Sequence, residues 1–254
     1  MSPNKKVATP NIPKLQFPLE YYNEFTLNGQ IPLFNMYLDD SQSYPMPKVF
    51  SKQDYEKVFE LIGNGTYTYY EKTLDCLNAA LDKYDITGKD VLVFGAQEIN
   101  CDAIALSRGA SKVYIIDYNK VKSEHEQVFP MTYDEYVEKE IKCDVAFSIS
   151  SFEHDGLGRY GDPIRPNGDI HAMRFAKQLI KKDGLMFLAV PVGGDALVWN
   201  AHRIYGKIRL PILISNWTCL ESFGFQEEDL NCIRMRPDVN TPDWSNQPVL
   251  VLQN

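Results

Sequence analysis

Four short apolar runs recur along this chain: Val91 to Gly95 (VLVFG), Val113 to Asp117 (VYIID), Asp144 to Ile149 (DVAFSI) and Leu185 to Pro191 (LMFLAVP). Their hydrophobicity is continuous rather than alternating, which marks strands buried on both faces. Helical periodicity fills the gaps, over residues 100–109, 133–142 and 170–181, and Asp183-Gly184 stops the last of these. Strand–helix alternation of this kind folds into a mostly parallel sheet with helices on both faces. Further on, Ile214 to Phe223 reads as a helix stopped by Gly224, while Gln226 to Ile233 and Pro248 to Leu252 read as closing strands.

Residues 1–50 differ from the rest. They hold Pro3, Pro10, Pro13, Pro18, Pro32, Pro45 and Pro47, a density that disfavours helix and central strand. Aromatics recur among them: Phe17, Tyr21, Tyr22, Phe25, Phe34 and Tyr37. The expectation is a disordered tip followed by an irregular arm packed on the body or on a second subunit, which makes the arm a candidate homodimer contact. From Ser51 the pattern is helical. Ser51 and Asp54 form an N-cap pair, followed by Tyr55, Val58, Phe59 and Ile62. A second helix is expected over 67–84. Residues 51–254 are therefore read as a single domain, with helices over 51–84 and the core over 85–254.

The formal net charge is -8 and the pI about 5.1, which argues against a broad basic surface and against nucleic acid as a partner. The five cysteines are widely spaced with no CxxC pair, so structural zinc has no support. The odd cysteine count and the polar amino terminus point to reduced thiols in the cytoplasm. No run approaches the roughly 20 apolar residues of a membrane helix.

The stretch VAFSISSFEHDGLGRYGDP, residues 145–163, is an apolar strand opening into a charged, glycine-rich loop. In open α/β sheets such loops face the ligand crevice. His154 is the leading catalytic candidate, since its ordinary pKa lies near neutrality. Asp155 or Glu153 would orient its imidazole. Arg159 would either grip an anionic substrate group or pair with a nearby carboxylate, and Asp162 follows as a second candidate for substrate binding. Glu153, His154, Asp155, Asp162, Asp169 and His171 also form a set of oxygen and imidazole donors, but without a recognised ligand spacing, so no metal is assigned. In the later segment WNAHRIYGKIRLP, the residues Trp199, His202, Arg203 and Tyr205 would form a lid over the same crevice. A structural connector is the alternative. His125 is expected in solvent.

In this order the motifs resemble those of class I S-adenosylmethionine-dependent methyltransferases, over about Asp85 to Gln253. VYIIDYN is similar to their second strand, CDVAFSISSFEH to the fourth strand and its catalytic loop, and LIKKDGLMFLAVP to the turn and fifth strand. More narrowly, FSISSFEHDGLGRYGDP, WNAHRIYGKIRLP and NWTCLESFGF resemble an uncharacterised methyltransferase-like family of nematodes and bacteria. The resemblance implies a Rossmann-like, mostly parallel seven-stranded sheet ending in an antiparallel hairpin. It also implies S-adenosylmethionine as cofactor. Asp117, 22 residues after Gly95, is placed to hold ribose hydroxyls. Tyr118 and Ser150 join it at the strand ends.

The first loop, VFGAQEIN, departs from the family pattern. Val93 stands where an acid is expected, Gly95 keeps the first glycine, and Gln97 and Ile99 replace the others. Glu98 is the nearest substitute acid, and a side chain at Gln97 would narrow the pocket. Cofactor binding is thus retained, altered or lost. Three functions follow. The first is methyl transfer to a small polar acceptor such as a sugar or glycoconjugate. The others are a non-methylating enzyme on the same fold, with a metal-dependent version among the alternatives, and a non-catalytic binding protein.

Overall fold

The computed structural model describes residues 17–41 and 48–254. The expected disordered tip, with Pro3, Pro10 and Pro13, lies outside the described residues, as do Pro45 and Pro47.

Ahead of the sheet come α1 (Tyr22–Thr26), β1 (Leu33–Met36), β2 (Lys48–Phe50), α2 (Lys52–Gly63) and α3 (Glu71–Lys83). Ser51 caps α2 by accepting the amide of Asp54 at 3.2 Å. The alternating body follows: β3 (Asp90–Phe94), α4 (Cys101–Ser107), β4 (Lys112–Ile116), β5 (Val121–Ser123), β6 (Val128–Met131), α5 (Tyr133–Glu138), β7 (Cys143–Ile149) and α6 (Gly168–Leu179). The remainder holds β8 (Ile180–Ala189), β9 (Ala196–Asn200), β10 (His202–Ile204), α7 (Arg209–Ile214), β11 (Thr218–Phe223), β12 (Met235–Arg236), β13 (Thr241–Pro242) and β14 (Val249–Gln253).

The main sheet has seven strands in the order β11-β14-β8-β7-β3-β4-β6. The run from β8 to β6 is parallel, and β14 is antiparallel to both β8 and β11. Counted along the chain within this sheet, the order is 3-2-1-4-5 followed by an antiparallel pair, the Rossmann arrangement with a hairpin at one edge. The strands are apolar throughout because alternate residues serve different cores. Val91, Val93, Val145 and Phe147 pack with Tyr55 and Leu77 of the N-terminal helices on one face. Leu92, Phe94, Ala146 and Leu188 pack with Met173 of α6 and Leu213 of α7 on the other.

The sixth strand is not where the sequence suggested. Residues 214–223 do not form one helix: α7 ends at Ile214 and β11 begins at Thr218. The exposed edge of β14 leaves a row of backbone groups unpaired, and β11 satisfies them. Residues 226–233 have no such edge to join, and Glu227–Asn231 is a 3-10 turn instead.

The described part of the N-terminal arm is more regular than its prolines suggest. β1 pairs in parallel with β9, and β2 in parallel with β5. Phe17 and Phe25 set their rings edge-on against Trp199, at 5.0 and 5.5 Å. Phe17 and Phe25 are thus packed on the chain's own body, while Tyr21 and Tyr22 are exposed. No helix among the described residues is long and apolar enough to cross a membrane.

Candidate functional site

The strand order reverses between β3 and β7, so the loops after these two strands diverge and open a crevice at their carboxyl ends. A cavity of about 440 Å³ occupies it, within the size range of small-molecule and cofactor sites. Asp117, after β4, and His154, after β7, both line this cavity. So do Gly95, Gln97, Glu98, Tyr118 and Ser150.

Gly95 ends β3 with φ +81°. A β-carbon there would come within 2.8 Å of Ser151 Oγ, so both backbone and space require glycine. Asp117 ties two loops together: its Oδ2 accepts the Ala96 amide and its Oδ1 the Asn119 amide, both at 2.7 Å. Each oxygen keeps a lone pair for a further donor. Burial raises the carboxyl's pKa, and the two amides oppose that rise. Gln97 lines the wall and shares a hydrogen bond with the Tyr160 hydroxyl, while its carbonyl accepts the Lys48 ammonium. Ile99 turns inward to the core, and the cavity wall keeps Val93 rather than an acid.

On the other side, Ser150 sits in the left-handed region at φ +52°, bending the chain sharply out of the sheet. Its hydroxyl donates to Oε1 of the fully buried Glu153 at 2.7 Å, and Glu153 Oε2 has no partner. Burial pushes this carboxyl up to about 7. His154 Nδ1 lies 2.6 Å from the Ala201 carbonyl. A carbonyl only accepts, so Nδ1 carries the proton and Nε2 presents its lone pair, 3.5 Å from Glu153 Oε1. Burial, and then the charge of Arg159, hold the imidazole well below its usual pKa, so it is neutral at pH 7. Glu153 is the carboxyl beside this imidazole. Asp155 lines the cavity too, but its carbonyl accepts from Arg203 at 2.7 Å, and burial and then Asp162 push its carboxyl well above the usual range.

Several residues expected at the crevice lie elsewhere. Asp162 accepts the amides of Gly156 and Gly158 at 2.7 and 3.1 Å and staples the loop shut from behind. Of the expected lid, only His202 reaches the cavity. Trp199 is buried under the arm. The buried Arg203 donates to the carbonyls of Glu153, Asp155 and Pro166 and so clamps the loop. Tyr205 donates to Asp169 Oδ2 at 3.0 Å, and Arg209 grips both oxygens of that carboxylate at 2.9 and 2.7 Å. The physical reason is common to all three. β9 and β10 form a separate small sheet with β1, Tyr205 follows β10 and bridges to Val192, and backbone pairing inside this covered region turns the side chains into packed interiors. Arg159 lines the cavity, paired with Asp40 at 2.6 Å. His171 is exposed, whereas His125 is half-buried against Tyr55 at 4.9 Å rather than free in solvent.

Among the cavity aromatics that the sequence analysis did not single out are Tyr69, Tyr70, Tyr133, Tyr160 and Trp244. A tryptophan in the turn-rich stretch PDWSNQP was the available signal, since a large ring in a polar loop needs something to cover it. Among the described residues no group of three or more His, Cys, Asp or Glu could hold a metal ion.

Strand order, crevice and cavity together are the fold of class I S-adenosylmethionine-dependent methyltransferases. The family described as "Caenorhabditis protein of unknown function, DUF268" matches residues 88–254, well over half of the chain, and the chain belongs to it. None of the curated proteins matches. Among solved structures, the 1,6-didemethyltoxoflavin-N1-methyltransferase of Burkholderia thailandensis, with bound 1,6-didemethyltoxoflavin and S-adenosylhomocysteine, is similar at a TM-score of 0.51. Its identity is 16%, over 80% of this chain and 86% of that one. An S-adenosylmethionine dependent methyltransferase of Mesorhizobium loti has a TM-score of 0.43 and 13% identity, over 70% and 98%. N-methyltransferase NodS of Bradyrhizobium japonicum has 0.44 and 10%, over 72% and 94%. At these identities the likeness is one of fold.

Proposed function

We propose that the protein transfers a methyl group from S-adenosylmethionine to a hydroxyl of a small polar acceptor. The observation that carries this is the placement of Asp117 and His154 on one cavity at the switch point of the sheet.

The residues present suit the cofactor. The Gly95 turn leaves room that a β-carbon would fill. Asp117 is oriented by two amides with lone pairs to spare, which suits a vicinal diol such as a ribose. Of the two replaced first-loop glycines, Ile99 points into the core and only Gln97 reaches the cavity wall. Glu98 and Tyr118 complete the cofactor wall in this reading, with Ser150 at the junction to the acceptor side.

When bound, S-adenosylmethionine supplies a methyl carbon on a sulfonium, and the sulfur leaves with the bonding pair. The chain's own contribution is alignment and one proton. His154 Nε2 takes the proton of the acceptor hydroxyl, Ala201 holds the ring by Nδ1, and Glu153 faces the imidazolium that results. Calorimetry of the protein with S-adenosylhomocysteine tests the reading. Saturable binding is expected, and a flat titration with no thermal shift at millimolar ligand overturns it. A cytoplasmic location and self-association through the arm belong to the same reading.

A further inference from the structure

Beyond His154 the cavity ends in a corner made by His202, Trp244, Tyr160 and Arg159. Most polar groups there already have partners. The Arg159 guanidinium donates through Nε to the Asp40 carboxylate at 2.6 Å and through Nη1 to the Ala201 carbonyl at 3.3 Å, so its charge is already countered. The Tyr160 hydroxyl shares its hydrogen bond with Gln97. Two atoms remain. One is His154 Nε2. The other is Nε2 of His202, a residue only 4% exposed, and that nitrogen has no partner. Buried polar atoms in native proteins are paired, so this one marks a place where a ligand group completes the structure.

The two imidazoles are near neighbours, with ring centroids 6.5 Å apart and planes at 83°. Trp244 lies beside His202 at 4.9 Å and is held in place by the Arg236 guanidinium 4.3 Å from its ring. Leu38 and Met36 add apolar wall. A fixed aromatic wall with two imidazole nitrogens selects a ligand with a flat apolar surface and two neighbouring donors.

On the methyl-transfer reading above, we propose that the acceptor is an uncharged ring bearing two adjacent hydroxyls. One hydroxyl is presented to His154 for methylation, the second hydrogen-bonds His202 Nε2, and the ring lies against Trp244. Oxygens on adjacent carbons, each one hydrogen bond of roughly 2.8 Å from an imidazole nitrogen, span the gap between the rings. A sugar ring and a catechol share this chemistry.

The test is calorimetric titration of the full chain loaded with S-adenosylhomocysteine. One arm compares trans-tetrahydropyran-3,4-diol with tetrahydropyran-4-ol; the other compares catechol with phenol. A diol should bind about tenfold tighter than its single-hydroxyl counterpart in one arm, which names the source. His202→Ala should erase that preference while leaving S-adenosylhomocysteine binding intact, and His202→Gln should restore part of it. Bound ring should also quench tryptophan fluorescence in the wild type and not in Trp244→Phe, a readout that stands if His202→Ala fails to fold. No preference in either arm, or a preference that survives His202→Ala, overturns the proposal while the cofactor still binds. Loss of S-adenosylhomocysteine binding by the wild type is the separate failure of the methyl-transfer reading.

Discussion

Two polar clusters lie on opposite sides of the loop after β7, built from the same kinds of residue. Behind the loop, Asp169 meets Arg209 through two hydrogen bonds and Tyr205 through a third, with Arg203 3.8 Å away. Arg203 in turn spends its own donors on loop carbonyls. In front, Glu153 Oε2 and His202 Nε2 are buried without partners, and His154 Nε2 faces the cavity. The rear cluster is satisfied and the front one is not. Completed networks hold a shape, whereas buried polar atoms left open mark where a ligand belongs.

That contrast can be broken by mutation, and the largest effect should come from behind. Asp169→Ala leaves two buried guanidiniums without their counter-charge and should cost about 3–5 kcal/mol in urea unfolding. A loss under 1 kcal/mol would show that the rear cluster is not the clamp.

Glu153→Gln should act in a pH-dependent way. The carboxyl's pKa is raised in the fold from 4.5 to about 7. Its contribution is therefore fully present below about 4.5 and is lost as pH rises through about 7. The wild type should lose up to about 3 kcal/mol over that window relative to Glu153→Gln, measured by denaturation at stepped pH. The imidazoles work in the opposite sense. Burial pushes His202 down to about 3, so its contribution is present above the ordinary histidine range and is lost as pH falls toward that value. Parallel curves for wild type and Glu153→Gln would mean that Glu153 is not the front cluster's titrating group.

Asp117→Ala should weaken S-adenosylhomocysteine binding at least tenfold, about 1.5–3 kcal/mol, since hydrogen bonds to a charged group are lost. Calorimetry checks this, and unchanged affinity would remove Asp117 from the cofactor site. The smallest effect is expected at the cavity mouth. Asp40→Asn breaks a partly exposed pair with Arg159 and should shift stability by less than about 1 kcal/mol in thermal denaturation.

Much of this architecture was legible before any coordinates. Val91–Phe94 and its sister runs are read as buried on both faces, because their apolar residues run on without the alternation of a half-exposed strand. Gly95, Asp117 and the Ser150–His154 loop could be placed at strand ends from spacing alone. What the spacing could not convey was partnership. Leu220 and Phe223 sit three apart, as on a helix face, yet belong to a strand, because β14 offered an edge that only backbone pairing could satisfy. Trp199, Arg203 and Tyr205 read as a lid because Trp, Arg and Tyr serve ligands and cores equally well. Trp244 went unnoticed because its ring neighbour His202 and the other cavity residues lie far from it along the chain, a separation no local pattern spans.

The sequence by itself determined the layered sheet, the glycine turn after the first core strand and the acid closing the second. These follow from hydrophobic pattern and backbone sterics, which act locally. Tertiary structure alone decided which charged side chains found partners and which were left facing a cavity. Hydrogen-bond satisfaction depends on groups brought together from distant parts of the chain, and no short stretch of residues carries that information.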